Sequence, residues 1–234
     1  MKVSVCMATY NGAKYIKQQL QSILMQLSEE DEVIVSDDSS SDNTLEIVAS
    51  FNDKRIKLFP NNQFSSSIYN FEFALKQAKG DYIFLSDQDD VWLEGKVLKT
   101  INELQHVDML VSDCSIVDEQ LNIKIKSYFE HTNAGNGLLK NLLVNTYSGC
   151  CMAFKKKLLK KVLPFPENLP THDMWIGFVA ELFFKIKFIK DPLILHRIHG
   201  NNSSTMSEKS KSSTWQKILF RWNLIKNIPI LIVR

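Results

Sequence analysis

The sequence predicts an α/β fold built on a mostly parallel sheet, and three observations carry that prediction. Short apolar runs alternate with segments of helical period through the first half, as in successive βαβ units. Two of those runs end in carboxylates, at Asp37-Asp38 and at Asp87-Gln88-Asp89-Asp90. A third ends in the turn Thr9-Tyr10-Asn11-Gly12. In open α/β sheets the crevice beyond the carboxyl ends of the strands is where ligands bind, so all three tips are expected to share one edge.

The elements follow in order. Residues 3–7 read as a strand, and 13–27 as a helix with Ile16, Leu20, Ile23, Leu24 and Leu27 on one face. A second strand covers 32–36, after which Asp42 is placed to cap a helix running to Phe51. Then come a strand at 56–59, a helix at 68–78 ended by Gly80, a strand at 82–86, a helix at 93–104 and a strand at 109–112. Beyond residue 115 the alternation loosens. We expect an edge strand at 123–129, a helix at 137–144 and a strand at 147–154 carrying Ser148-Gly149. Pro164, Pro166 and Pro170 mark a loop that delivers His172-Asp173 to an apolar helix at 174–184. Strands at 186–189 and 193–199 precede a Ser- and Lys-rich stretch, expected to be mobile, and a helical segment at 215–234 that Pro229 interrupts.

At 234 residues and 44% hydrophobic content the chain can bury one substantial core. Its net charge of +2 excludes little, but the distribution is uneven: from Pro192 onward there are seven basic residues against Glu208 alone. Such an end can meet an acidic surface. No pattern suggests nucleic-acid binding. The apolar start at 3–7 is too short for a secretory signal or a membrane span. The four cysteines lack metal-ligand spacing and read as buried thiols in a reducing cytoplasm.

Several residues could carry chemistry. Asp87 and Asp89 stand two apart, so on extended chain both face one side and can approach one hard cation, Mg²⁺ or Mn²⁺; a solvated acidic turn before a helix is the plainer alternative. Asp37 is suited to accept a nucleobase imide N–H and Asp38 to meet a ribose hydroxyl, while the serines after them make turns. Asp173 reads equally as a helix-start carboxylate and as a general base. His196 and His199 cannot both reach one ion from a strand, because positions three apart face opposite sides; His199, at the strand end, is the better metal candidate.

Taken together, the segments 3–11, 34–40, 80–92, 148–154, 171–175 and 197–203 resemble, in order, those of family 2 glycosyltransferases with the GT-A nucleotide-sugar-binding fold. The resemblance runs from residue 3 to about 204 and implies a catalytic domain over 1–204, with a nucleotide-binding half at 1–112 and an acceptor half at 113–204, followed by a linker and basic helical tail over 205–234. It implies that Thr9, Tyr10, Asn11, Asp37, Asp38 and Asp87 hold the nucleotide of a UDP- or dTDP-sugar. Asp89 and His199 would hold Mn²⁺ or Mg²⁺, and Gly149, His172 and Trp175 would lie near donor sugar or acceptor. Asp173 would be the base of an inverting transfer to a glycan or lipid-linked saccharide. The pieces around Asp173 and His199 are similar to those of bacterial surface-polysaccharide enzymes, rhamnosyltransferases among them.

Two departures stand out. Ser39 occupies a position where the family commonly has glycine, a mild change if the backbone avoids positive φ. No Gln-x-x-Arg-Trp motif is present, since Ile218 precedes Arg221-Trp222, which argues for one sugar per encounter rather than processive synthesis. Two other readings fit less well. A phosphoacceptor receiver domain needs a suitably placed lysine, and a sugar nucleotidyltransferase needs a Gly-rich basic loop after the first strand. A non-catalytic nucleotide-sugar-binding module of the same fold stays open. The tail at 214–234 is expected either to pack on protein or to rest on the inner face of the cell membrane.

Overall fold

The computed structural model describes residues 1–200, 202 and 213–233. The alternation of the first half becomes β1 (Val3–Thr9), α1 (Ile16–Leu24), β2 (Glu32–Asp37), α2 (Thr44–Ser50), β3 (Ile56–Phe59), α3 (Ser67–Gln77) and β4 (Tyr82–Ser86). The four strands lie parallel in the order β3-β2-β1-β4. β2 and β4 are buried along their whole length, and β1 at every residue except Ala8. That is why they read as unbroken apolar runs: helices cover both faces of such a sheet. α1 turns Ile16, Leu20 and Ile23, one helical face, into the core, and α3 turns in Phe71, Ala74 and Leu75.

The second half comprises β5 (Val91–Trp92), α4 (Lys96–Leu104), β6 (Met109–Val117), β7 (Ile123–Ile125), α5 (Tyr128–Thr132), α6 (Leu138–Leu143), β8 (Met152–Lys155), α7 (Leu159–Val162), α8 (His172–Phe183), β9 (Ile186–Arg197), α9 (Thr214–Ile225) and α10 (Ile228–Val233). The sheet continues β4-β8-β6-β9-β5, with β7 beside β6. β8 is antiparallel to both β4 and β6, whereas β9 runs parallel to β6. The segment entering β8 therefore reaches the edge where β4 ends.

Several expected boundaries move for identifiable reasons. The helix expected from residue 93 starts at Lys96, because Val91 and Trp92 pair with Leu195 and Ile194 as β5. The edge strand expected at 123–129 stops at Ile125, where Ser127 caps α5 by accepting from the Glu130 amide at 3.0 Å. Of the strand expected at 147–154 only Met152–Lys155 forms; Gly149–Cys151 is a turn of 3₁₀ helix. The two strands expected at 186–189 and 193–199 are one, β9, whose register slips opposite Asp113 where Pro192 has no N–H to give. Pro229 does not break a helix but sits in the first turn of α10, where no amide donor is needed. The mobile stretch expected before the tail falls outside the described residues apart from Ser213, which caps α9 in a reciprocal box with Gln216.

One hydrophobic core reaches from Val3 to Leu224 and Leu231, so the tail joins the same core as the sheet. Cys6, Cys114, Cys150 and Cys151 are buried free thiols. Among the described residues no helix is long and apolar enough to cross a membrane.

Candidate functional site

The carboxyl ends of β1 and β2 form one wall of the crevice. Asp37 closes β2 fully buried, accepting from the Thr9 hydroxyl at 2.8 Å, the Ser40 hydroxyl at 2.6 Å and the Ser40 amide at 2.8 Å. Asp38 accepts from the Phe64 and Ser66 amides at 2.7 and 3.1 Å and so pins the loop that leads into α3. Both carboxylates thus shape the loops of this wall, and Asp37 presents no exposed oxygen. Ser39 lies at φ +61°, the left-handed region in which glycine alone is unstrained. Its hydroxyl donates to the Asn62 carbonyl at 2.6 Å. Asn11 receives the Ser41 amide at 2.8 Å, while Tyr10 stands 60% exposed over the crevice.

Gln88 spans from this wall to the next. Its amide pairs with both main-chain groups of Tyr10, accepting from N at 2.9 Å and donating to O at 3.0 Å. Gly12 makes room for it: a Cβ there would stand 2.3 Å from Gln88 Oε1. Beneath, Gln19 of α1 donates to the Ser86 hydroxyl at 2.8 Å and the Asp87 carbonyl at 3.1 Å, holding the end of β4 in place.

Beyond β4 the acidic run meets the end of β9. Asp89 Oδ2 lies 2.9 Å from His199 Nε2, and His199 stacks on Tyr15. Between the two histidines Arg197 is buried and fully engaged. It donates to the Asp89 carbonyl at 2.8 Å, the Glu119 carbonyl at 2.6 Å and Gln18 Oε1 at 2.7 Å, with its guanidinium over the Tyr15 ring. His196 turns the other way, as positions three apart on a strand require, and pairs with Asp90 at 2.9 Å inside the protein. Burial opposes charge on both partners. Their mutual attraction wins, holding Asp90 below the usual carboxylate range and His196 well above the usual imidazole range.

Asp87 is pushed well upward, first by burial and then by the charges of Asp90 and Asp89, with Asp173 adding to the push. Asp173, in the first turn of α8, is therefore near enough for its charge to act on Asp87. One oxygen of Asp173 accepts from the Met174 amide at 2.7 Å. Thr171 caps the helix before it, taking the Met174 amide at 3.4 Å. His172 stacks on Phe71 with centroids 4.0 Å apart, and burial holds its imidazole below the usual range. A Cβ on Gly149 would lie 2.7 Å from His172 Nε2, so only glycine lets the turn before β8 approach so closely. Trp175 is fully buried, its indole N–H on the Val162 carbonyl at 2.9 Å. It anchors α8 from below and lines no part of the crevice.

The donor chemistry fits a divalent cation. Asp87, Asp89 and Asp90 follow the end of β4, His199 meeting Asp89 and His196 meeting Asp90 in the interior, where Asp90 Oδ2 and His196 Nε2 have no hydrogen-bond partner. Asp87, Asp90, Cys150 and His196 each bring one ligand atom within 4.8 Å of the others. Cys150 enters this group although its sequence spacing shows no ligand pattern, because the 3₁₀ turn before β8 sets its thiol 3.8 Å from His196 Nδ1 on β9. Arg197, Gln88 and Gln19 are equally absent from the sequence-level candidates. A buried arginine between two histidines was the one signal available for the first.

Comparison with known proteins agrees with this geometry. Residues 4–163 match the profile of Glycosyl transferase family 2. The chain is 28% identical over 246 residues to the dTDP-rhamnosyl transferase RfbG of Shigella flexneri, covering 92% of this chain and 80% of that protein. It is 28% identical over 212 residues to the UDP-Glc:alpha-D-GlcNAc-diphosphoundecaprenol beta-1,3-glucosyltransferase WfgD of Escherichia coli, covering 89% and 81%. Against uncharacterized glycosyltransferases of Nostoc and Rickettsia it spans 71% and from 64% down to 33% of their length. The crystal structure of S. aureus TarS 1-349 in complex with UDP-GlcNAc superposes with a TM-score of 0.71 at 26% identity, covering 100% of this chain and 67% of that one. The mixed sheet with its crevice at the β1, β2 and β4 tips is the GT-A architecture, and the chain belongs to glycosyl transferase family 2.

Proposed function

We propose that this enzyme transfers one sugar, with inversion, from a nucleoside-diphosphate sugar to a hydroxyl of a glycan or lipid-linked saccharide, in the synthesis of a bacterial surface polysaccharide at the cytoplasmic side of the membrane. What supports the reading is the meeting of Asp89 and His199 beside Asp87, next to the turn that Gln88 ties down through Tyr10, with Asp173 close enough to add to the upward push on Asp87. The relatives' names support a UDP- or dTDP-linked donor.

In this reading Tyr10 and the main chain of the Thr9–Asn11 turn receive the nucleotide, with Asp37 and Asp38 fixing the loops that frame it. Asp87 meets the donor beside the diphosphate. Asp89 and His199 would hold Mn²⁺ or Mg²⁺, which when bound offsets the negative charge of the departing diphosphate. Asp173 takes the proton of the acceptor hydroxyl as its oxygen bonds to the anomeric carbon and the bond to the diphosphate breaks. Asp173 keeps one oxygen on the Met174 amide, which orients the other. Gly149 and His172 border the sugar, and Trp175 supports the helix that carries the base.

The test is a screen of nucleotide sugars for thermal stabilisation with and without Mn²⁺ or Mg²⁺. A true donor at ~100 times its dissociation constant adds about 2.7 kcal/mol of stability. Stabilisation that is the same without metal, or seen with no nucleotide sugar, would overturn the assignment. Binding with no transfer to any hydroxyl acceptor would point to the binding-module alternative.

A further inference from the structure

The apolar stripe of α9 faces away from the domain on which the helix packs. Its large apolar side chains at 215, 218, 219, 222 and 225 have the spacing that gathers them on one face. Yet Trp215 (79%), Ile218 (51%), Leu219 (54%), Trp222 (60%) and Ile225 (41%) are all exposed. What α9 buries instead is Asn223 and Leu224, with Asn223 donating to the Asn168 carbonyl at 2.9 Å. A neighbouring helix enlarges the stripe. Arg221 donates to the Leu143 carbonyl at 2.5 Å, and the α6 region leaves Leu139, Leu143 and Val144 exposed beside it. Contiguous apolar surface of this kind marks a contact surface.

Charge selects the occupant. α9 has no acidic residue, Lys217, Arg221 and Lys226 flank its stripe, and the chain from Pro192 onward is strongly basic. A basic helix with tryptophans on its apolar face suits the headgroup layer of an anionic bilayer. We propose that α6 and α9 together form the surface by which this protein docks on an anionic lipid membrane, with α9 lying in the plane of the interface. Leu138 and Leu142 of α6 and Leu224 of α9 enclose a small cavity with Met174 and Phe178 of α8. Both docking helices thus pack against the helix whose first turn carries Asp173. Docking there would hold a bilayer-anchored saccharide near the helix that carries Asp173; this consequence rests on the glycosyl-transfer reading, whereas the docking itself does not.

The experiment is co-sedimentation of the full chain with phosphatidylcholine vesicles, with and without phosphatidylglycerol. Two variants are compared with it, Trp215→Ser/Ile218→Ser/Trp222→Ser and Leu139→Ser/Leu143→Ser. The parent chain is expected to bind the anionic vesicles and to be released by salt. Each variant is expected to lose about tenfold or more in partitioning, with its melting temperature and its stabilisation by donor unchanged. Equal partitioning of parent and variants overturns the proposal. So does a parent that ignores both vesicles but sediments as a dimer which the variants split, since the stripe is then an interface between copies. Vesicle binding needs no turnover, so its failure is separable from failure of the catalytic reading.

Discussion

His199 and Asp89, 110 positions apart in sequence, meet with Nε2 and Oδ2 at 2.9 Å. They are the metal ligands we propose, so removing either is expected to act on metal affinity first. Asp89→Asn and His199→Ala should each raise the Mn²⁺ concentration needed for donor stabilisation by about tenfold or more, measured by thermal shift at fixed nucleotide. An unchanged metal midpoint in both would place the ion elsewhere, with the Asp87, Asp90, Cys150 and His196 group as the next site to examine.

Arg197 holds the main chain of Asp89 through its carbonyl and ties it to the turn between β6 and β7 through the Glu119 carbonyl, so it would position the proposed ion site without touching it. Lysine keeps the charge without the planar fork. Arg197→Lys should therefore weaken metal binding by roughly tenfold while saturating metal restores most of kcat. A loss of kcat that metal does not rescue would mean that Arg197 serves folding alone.

Asp173→Asn removes the proposed proton acceptor and preserves shape. Turnover should fall by about 10²-fold or more, while donor binding, read by the same thermal shift, stays within a factor of two or so of the parent. Retained turnover would assign the base to another group.

Gly80 sits where a Cβ would come within 2.6 Å of the Ser4 main-chain nitrogen and 2.7 Å of the Val3 carbonyl carbon. Neither backbone can move without disturbing β1, the central strand of the nucleotide half. Gly80→Ala should cost about 3 kcal/mol, a drop of roughly 6–12 °C in Tm, measured by calorimetry. The analogous Gly12→Ala meets only the end of the Gln88 side chain. It should leave Tm nearly unchanged while altering nucleotide binding.

Asp118 organises the β6–β7 turn whose Glu119 carbonyl Arg197 grips. Its carboxyl is lowered to about 2, chiefly by the Lys124 ammonium, with the Asn122 amide and side chain assisting. A carboxyl lower in the folded than in the unfolded chain stabilises fully above the ordinary aspartate value and loses that contribution as pH falls through about 2. A carboxyl-carbon NMR titration should show this midpoint, and Lys124→Met should return it toward the ordinary value.

The parallel half was legible because β1, β2 and β4 are buried on both faces and its helices show one apolar face, so local pattern and tertiary role coincide. The second half was less so. β5 is two residues long, and the antiparallel course of β8 depends on partners far along the chain. Asp87, Asp89, Asp173 and His199 were visible as polar residues at element ends. Arg197 was not, because what matters is its fork on two distant carbonyls. Ser39 taught the opposite lesson: its substitution for glycine reads as harmless only while the backbone angle is unknown, and the angle is positive.

β9 lies inside the sheet, zipped between β6 and β5, and it carries His196, Arg197 and the approach to His199. A nascent chain that has emerged only as far as α8 already holds every aspartate of the crevice yet lacks all three of their cationic or imidazole counterparts on β9. The carboxylates that repel one another before β9 pairs are offset only once it does, His196 meeting Asp90 and His199 meeting Asp89.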